Sequence, residues 1–222
     1  MTAPDLTQFN RIGLELLAHL QQRLPAAPAV GEPPLLTDPA AEPPRRAAGR
    51  VILVSSTRPG EGKTFVAQGL ARALAEQQEG DVLWVDAAFS PTANAATAPG
   101  LAEVFAGGAR PEPRSAGAPR LWQLGQGAQA DPALLYRPAE IRQGLDGLRA
   151  SVALVVLDAP CLEDCGALLA AVDACVLVVD ARHTPRHAAQ VALARARLAP
   201  GQLAGVVLNH RPRPLPRWLG GE

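Results

Sequence analysis

The sequence predicts an α/β domain, a parallel sheet with helices on both faces, and three observations carry that expectation. Short apolar runs at Val51–Val54, Val82–Val85, Val152–Leu157, Ala174–Val179 and Leu203–Leu208 alternate with helical stretches at Phe65–Gln77, Pro138–Ala150 and Pro185–Leu198. Runs this apolar read as strands buried on both faces, and parallel strands need helical crossovers of about this length. The first run opens directly into a glycine-rich turn, and three others are followed at once by aspartate. Right-handed crossovers deliver all of these strand ends to one edge of the sheet, so the polar chemistry should gather there.

Ahead of that domain, Asp5 and Gln8 form a capping pair, and Phe9, Ile12, Leu16, Leu20 and Leu24 recur at helical spacing. The spacing predicts an amphipathic helix over residues 1–24, ending near Pro25. Its apolar stripe must be buried against the main domain or a neighbouring subunit. A membrane-surface role fits less well, because only Arg11 and Arg23 carry positive charge there. Residues 25–49 are dense in proline and alanine, with Pro33-Pro34 and Pro43-Pro44, and read as an extended linker. The compact domain then spans 50–211. Within it Ala106–Pro119 reads as a surface loop, and 212–222, with Pro212, Pro214, Pro216 and Gly220-Gly221, as a frayed tail.

The turn after the first strand is Ser55-Ser-Thr-Arg-Pro-Gly-Glu-Gly-Lys-Thr64. Gly60 and Gly62 let the backbone curl so that amide N–H groups face a polyphosphate, and the helix beginning near Phe65 adds its positive end. Lys63 would reach the β- and γ-phosphates, and the Thr64 hydroxyl would ligate Mg²⁺. The expectation is therefore a P-loop NTPase-like sheet that binds ATP with Mg²⁺. Residues Thr57, Arg58, Gly60, Glu61, Gly62, Lys63, Thr64 and Phe65 line the phosphates. The common pattern asks for glycine where this chain has Thr57.

Asp86 follows Val82–Val85, and Asp158 follows Val152–Leu157. Both emerge at the loop's edge of a parallel sheet. Asp158 is the better metal-side carboxylate, since an apolar strand ending in aspartate is what a Walker B position requires. Asp86 would polarise an attacking hydroxyl or hold a water of the Mg²⁺ shell, or else serve as a turn residue. Lys63, Asp86 and Asp158 are thus the catalytic candidates, with Thr64, Asp86 and Asp158 at the metal. Asp180 fits a turn role. Asn209, beyond the last strand, suits an adenine edge with Arg211 flanking the base, and suits a loop cap nearly as well.

Lys+Arg and Asp+Glu both count 21, so nothing electrostatic favours nucleic acid as a partner. Cys161, Cys165 and Cys175 lack a CxxC pair and are expected to be reduced thiols. With no signal peptide and no apolar run of about 18 residues, a soluble cytoplasmic protein without direct membrane insertion is expected.

Together these segments resemble the bacterial tyrosine kinases of capsule and exopolysaccharide assembly, a branch of the MinD/Mrp-like P-loop proteins. The resemblance covers nearly the whole chain. In that family Ser or Thr commonly stands where Thr57 does. VLWVDAAFSP (82–91) resembles the second Walker A-like motif, GLAEVFAGG (100–108) the segment after it, and RLWQLGQGAQADPALL (120–135) a strand and Asn-Pro helix start. LVVLDAP (154–160) resembles the Walker B, and GVVLNHR (205–211) the closing strand. The resemblance implies a cytoplasmic ATP-binding protein recruited to the inner face of the membrane by the cytoplasmic segment of a polysaccharide chain-length or export protein, with a subunit-contact helix at the N-terminus and a homo-oligomeric state.

The chain also departs from the family where the kinase chemistry lies. Ala88 replaces the second aspartate of the DxD pair, Ser90 stands where arginine is usual, and the tail holds no tyrosine. Tyr136, the single tyrosine, sits at an expected helix start and reads as a packing residue. A MinD/ParA-type ATPase, with Arg58 at the place of the cation that crosses a dimer interface, is one alternative, and a catalytically inactive scaffold is another.

Overall fold

The computed structural model describes residues 6–22, 49–89, 98–107, 111–128, 130–198 and 202–211. The linker (residues 25–48), the tail (212–222) and the capping residue Asp5 lie outside the described residues. Seven strands form one sheet: β1 (Arg50–Ser56), β2 (Val82–Asp86), β3 (Arg114–Ser115), β4 (Leu121–Leu124), β5 (Leu154–Cys161), β6 (Ala174–Asp180) and β7 (Gln202–Asn209). Their order is β3-β4-β2-β5-β1-β6-β7. All neighbours run parallel except β3, which pairs antiparallel with β4. The α/β parallel-sheet fold is thus present.

Alternation along each buried strand splits the core in two. Val51, Leu53, Leu83, Val85, Val155, Leu157 and Leu177 face one side, where α3 (Leu101–Phe105), α4 (Pro138–Ser151), α5 (Gly166–Leu169) and α6 (Arg186–Leu198) cover them. Ile52, Val54, Val82, Trp84, Val156 and Val176 face the other, under α1 (Leu6–Gln22) and α2 (Lys63–Gln77). Such double coverage is why β1, β2, β5 and β6 read as continuous apolar runs rather than alternating ones; the apolar run of β7 is not buried on both faces as expected, because β7 is an edge strand and leaves Val206 and Leu208 exposed.

The amphipathic stripe of α1 is buried against its own domain: Phe9 and Leu16 belong to the core under α2. The contact is close because α2 offers no side chain at Gly69, where a Cβ would stand 2.6 Å from the Phe9 ring. Phe9 also meets Phe65 edge-on, with ring centroids 5.7 Å apart.

Two sequence expectations are corrected. The interval Ala106–Pro119 is not loop throughout: Arg114 and Ser115 form the short edge strand β3, which was hidden by its two-residue length and exposed side chains. Tyr136 is not a packing residue. It closes the 3₁₀ turn Pro132–Tyr136 and is 70% exposed, while Leu134 and Leu135 take the buried positions. That turn starts where Asp131 accepts the Ala133 amide at 2.9 Å, just ahead of Pro132.

Candidate phosphate-binding site

The central strand β1 is buried end to end from Val51 to Ser56 and releases the chain at the C-terminal edge of the sheet. Ser56 begins the turn by donating its hydroxyl to the Arg58 carbonyl at 2.8 Å. Gly60 and Gly62 then take left-handed conformations, φ 83° and 86°, which side-chain-bearing residues adopt only at a cost. Gly62 caps α2, whose first turn holds Lys63 and Thr64. The first intrahelical bond runs from Val66 N–H to the Gly62 carbonyl at 3.1 Å. Amides ahead of it have no partner within the helix, and with the helix dipole they make an anion-binding end.

Glu61 organises this turn from inside. It is only 3% exposed, and its Oε2 accepts the amides of Thr57 (2.8 Å) and Arg58 (3.1 Å). Its Oε1 accepts the hydroxyl of Thr184, from the loop between β6 and α6. The amides of Thr57 and Arg58 are therefore already engaged, and the helix-proximal amides remain for phosphate. Asn209 donates its side-chain amide to the Glu61 carbonyl at 2.9 Å, and a Cβ at residue 62 would collide with that amide. The base-side residue of the sequence reading thus sits on the loop itself as a clamp. Arg211 is exposed beyond it, and Phe65 points its ring to Phe9 rather than along the loop.

Asp158 and Asp86 are register partners on β5 and β2. Asp158 is 1% exposed and sits within β5, which continues to Cys161. Burial pushes its carboxyl up to about 6; the Thr64 hydroxyl bonded to it opposes this, the charge of Asp86 adds to it, and the Lys63 ammonium opposes it. Its Oδ1 is buried without a hydrogen-bond partner. A buried carboxylate oxygen with no donor, beside a hydroxyl and a second carboxylate, is a donor set for a hard cation such as Mg²⁺. Among the described residues no group of three or more His, Cys, Asp or Glu side chains is placed to hold a metal alone, so a cation here would also need oxygens from a ligand.

The structure brings Lys63, Thr64, Asp86 and Asp158 together at one sheet edge. It also places two residues that the sequence reading did not single out, Gln126 and Thr184, and gives Asp180 more than a turn role. Gln126, after β4, is buried and puts its amide nitrogen 3.0 and 2.9 Å from the two oxygens of Asp86. Thr184 ties Glu61 to the β6–α6 loop. Asp180 does hold its own turn, through the Arg182 and His183 amides, but it also accepts Nδ1 of His183 (2.9 Å) and of His210 (3.0 Å). Those two histidine bonds hold its carboxyl well below the usual range. Glutamine and threonine within short polar stretches carry no periodic or spacing signal, which is why they were silent in the sequence. Beside the loop lies a groove of about 380 Å³, lined by Thr57, Arg58, Leu162, His187 and Arg195 among others.

No protein-family model matches the sequence, and no curated protein matches it. Solved structures do resemble the fold. The VpsO kinase domain superposes with a TM-score of 0.67 at 23% identity, over 93% of this chain and 97% of that one. The BceF tyrosine kinase domain gives 0.62 at 25% identity, over 73% of this chain and 69% of that one. Cobyrinic acid a,c-diamide synthase from Mycobacterium smegmatis, solved with a bound ATP analogue and magnesium, gives 0.56 at 21% identity, over 72% of each chain. At these identities the likeness is one of architecture, and it establishes the fold of this chain as the P-loop NTPase-like α/β sheet that those kinase domains and that synthase share.

Proposed function

We propose that this chain is a Mg-ATP-binding protein of the bacterial tyrosine-kinase type whose own kinase chemistry is degenerate, acting as a nucleotide-dependent partner in exopolysaccharide or capsule assembly. The observation carrying nucleotide binding is the loop: two left-handed glycines, an internally braced turn, and Lys63 and Thr64 opening a 15-residue helix. The amides at the start of α2 bind phosphate oxygens, and Lys63 adds a full positive charge. Thr64, Asp158 and Asp86 would hold Mg²⁺, which when bound neutralises charge on the β- and γ-phosphates.

Ala88 stands in place of a second carboxylate, so activation of an acceptor hydroxyl falls to Asp86 alone. Loss of general-base assistance is worth about 10² to 10⁴ in rate. The expected activity is therefore slow hydrolysis or a binding switch rather than efficient phosphorylation. The pathway, a membrane polysaccharide chain-length or export partner, and a homo-oligomeric state rest on the ordered motif resemblance.

Calorimetry with Mg-ATP tests the binding claim: the wild-type chain binds, and Lys63→Ala weakens binding about 30-fold or more. Identical behaviour of the two proteins overturns it. Labelled ATP, scored for phosphoprotein and free phosphate together, tests the chemistry. Free phosphate alone supports the switch, and label on Tyr136 restores a kinase.

A second reading, a MinD/ParA-type positioning ATPase, has one observation in its favour. Arg58 is exposed at the head of the loop and borders the groove beside α6. That reading requires ATP-dependent dimerisation that Arg58→Ala abolishes, measured by light scattering. An unchanged oligomeric state counts against it.

A further inference from the structure

Asp86 and Asp158 lie opposite one another across adjacent strands, with Ala87 N–H bonded to the Asp158 carbonyl at 2.9 Å. Two carboxylates at this spacing repel, and the half-buried Asp86 side chain has solvent to turn toward. It is held instead by three hydrogen-bond contacts. The Ala88 amide reaches Oδ1 at 3.1 Å, and one nitrogen of Gln126 reaches both oxygens at 3.0 and 2.9 Å.

Gln126 is itself firmly placed. It is 6% exposed, its carbonyl accepts the Ala102 amide at 2.9 Å, and the neighbouring Gly125 carbonyl accepts the Leu101 amide at 3.0 Å. The start of α3 thus pins the backbone that carries the glutamine. Its Oε1 is buried with no partner, so the side chain forgoes one hydrogen bond while its nitrogen serves Asp86. An amide that leaves its own oxygen unpaired in order to hold a carboxylate is a costly arrangement for a merely structural loop.

We propose that Gln126 is a positioning residue of the metal side of the site: its uncharged amide fixes the Asp86 carboxylate beside Asp158 and Thr64, in a chain where residue 88 is alanine. This rests on the nucleotide reading above. Glutamine suits the task because it donates without bringing a third charge. A lysine or arginine would compete with the cation, and a carboxylate would repel Asp86.

The test uses Mn²⁺ as the paramagnetic stand-in, titrated into the full chain with a non-hydrolysable ATP analogue and followed by electron paramagnetic resonance. Gln126→Leu weakens Mn²⁺ binding in the nucleotide complex about 10- to 100-fold, the usual effect of losing a partner that orients a metal ligand. Metal-free nucleotide affinity is unchanged. Gln126→Asn, whose shorter side chain keeps the amide but falls short of the Asp86 oxygens, weakens Mn²⁺ binding as well. In an Asp86→Ala background the effect of Gln126→Leu disappears, because the residue acts through Asp86. Thermal melts confirm that each variant is folded. Unaltered Mn²⁺ affinity in Gln126→Leu, or an equal loss in the Asp86→Ala background, overturns the assignment alone. A wild-type chain that binds no nucleotide overturns the nucleotide reading and the assignment with it.

Discussion

At the residue scale, the buried carboxylate of Asp158 makes the metal-free protein less stable as pH rises through its titration. The folded-state carboxyl of Asp158 is raised to about 6 from an ordinary 3.8. Between those values the folded chain holds more protons than the unfolded one, so this residue's contribution to stability falls as pH rises through that window. By pH 7 it costs roughly 2–3 kcal/mol. Asp158→Asn should therefore be more stable than the wild type at pH 7 and similar to it near pH 4, as read by urea denaturation without metal. A difference that stays constant across the window sinks this account. The three thiols behave in the opposite sense to reactive cysteines. Burial pushes Cys165 up to about 11 and Cys175 up to about 12, and raises Cys161 as well, so all three free, buried thiols are held protonated.

At the element scale, α1 is docked through Phe9 and Leu16, with Ile12 and Leu17 packed beside them. The ring fills the gap over Gly69, and Gln77 on α2 donates to the Asn10 carbonyl at 2.7 Å. Phe9→Ala should cost about 3 kcal/mol of docking. Hydrogen exchange should then show α1 amides losing protection while those of the central strands keep theirs. Uniform loss across the domain would mean that α1 belongs to the cooperative core instead. The central strands were legible in the sequence because burial on both faces leaves a continuous apolar run, and β7 was legible by its apolar run although it lies at the sheet edge with Val206 and Leu208 exposed. Strand β4 was legible only through the family resemblance, since Trp122 and Gln123 are exposed on opposite faces of the sheet and just Leu121 and Leu124 are buried. Strand β3 left no trace, because two exposed polar residues pair by backbone alone.

At the scale of the whole molecule, the sheet order puts β1 between β5 and β6, so the loop, Asp158 and Asp180 share one edge. This placement was readable from the sequence, since it follows from strand polarity and crossover handedness. How the edge is wired was not. Glu61 is in the loop motif, yet its partner Thr184 is 123 positions away, and Asn209, which holds the Glu61 carbonyl, is 148 away. Contacts of that separation depend on the tertiary fold and leave no local pattern.

Those two long-range ties also set an order of events during folding. The turn between β1 and α2 is among the first parts of the domain to leave a ribosome, yet its final shape waits for β6, α6 and β7. Closing chain segments of more than a hundred residues is slow and comes after local helix and hairpin formation. A nascent chain that stops short of β7 therefore carries a loop without its Asn209 clamp, and the turn reaches its final shape only when the last strand docks.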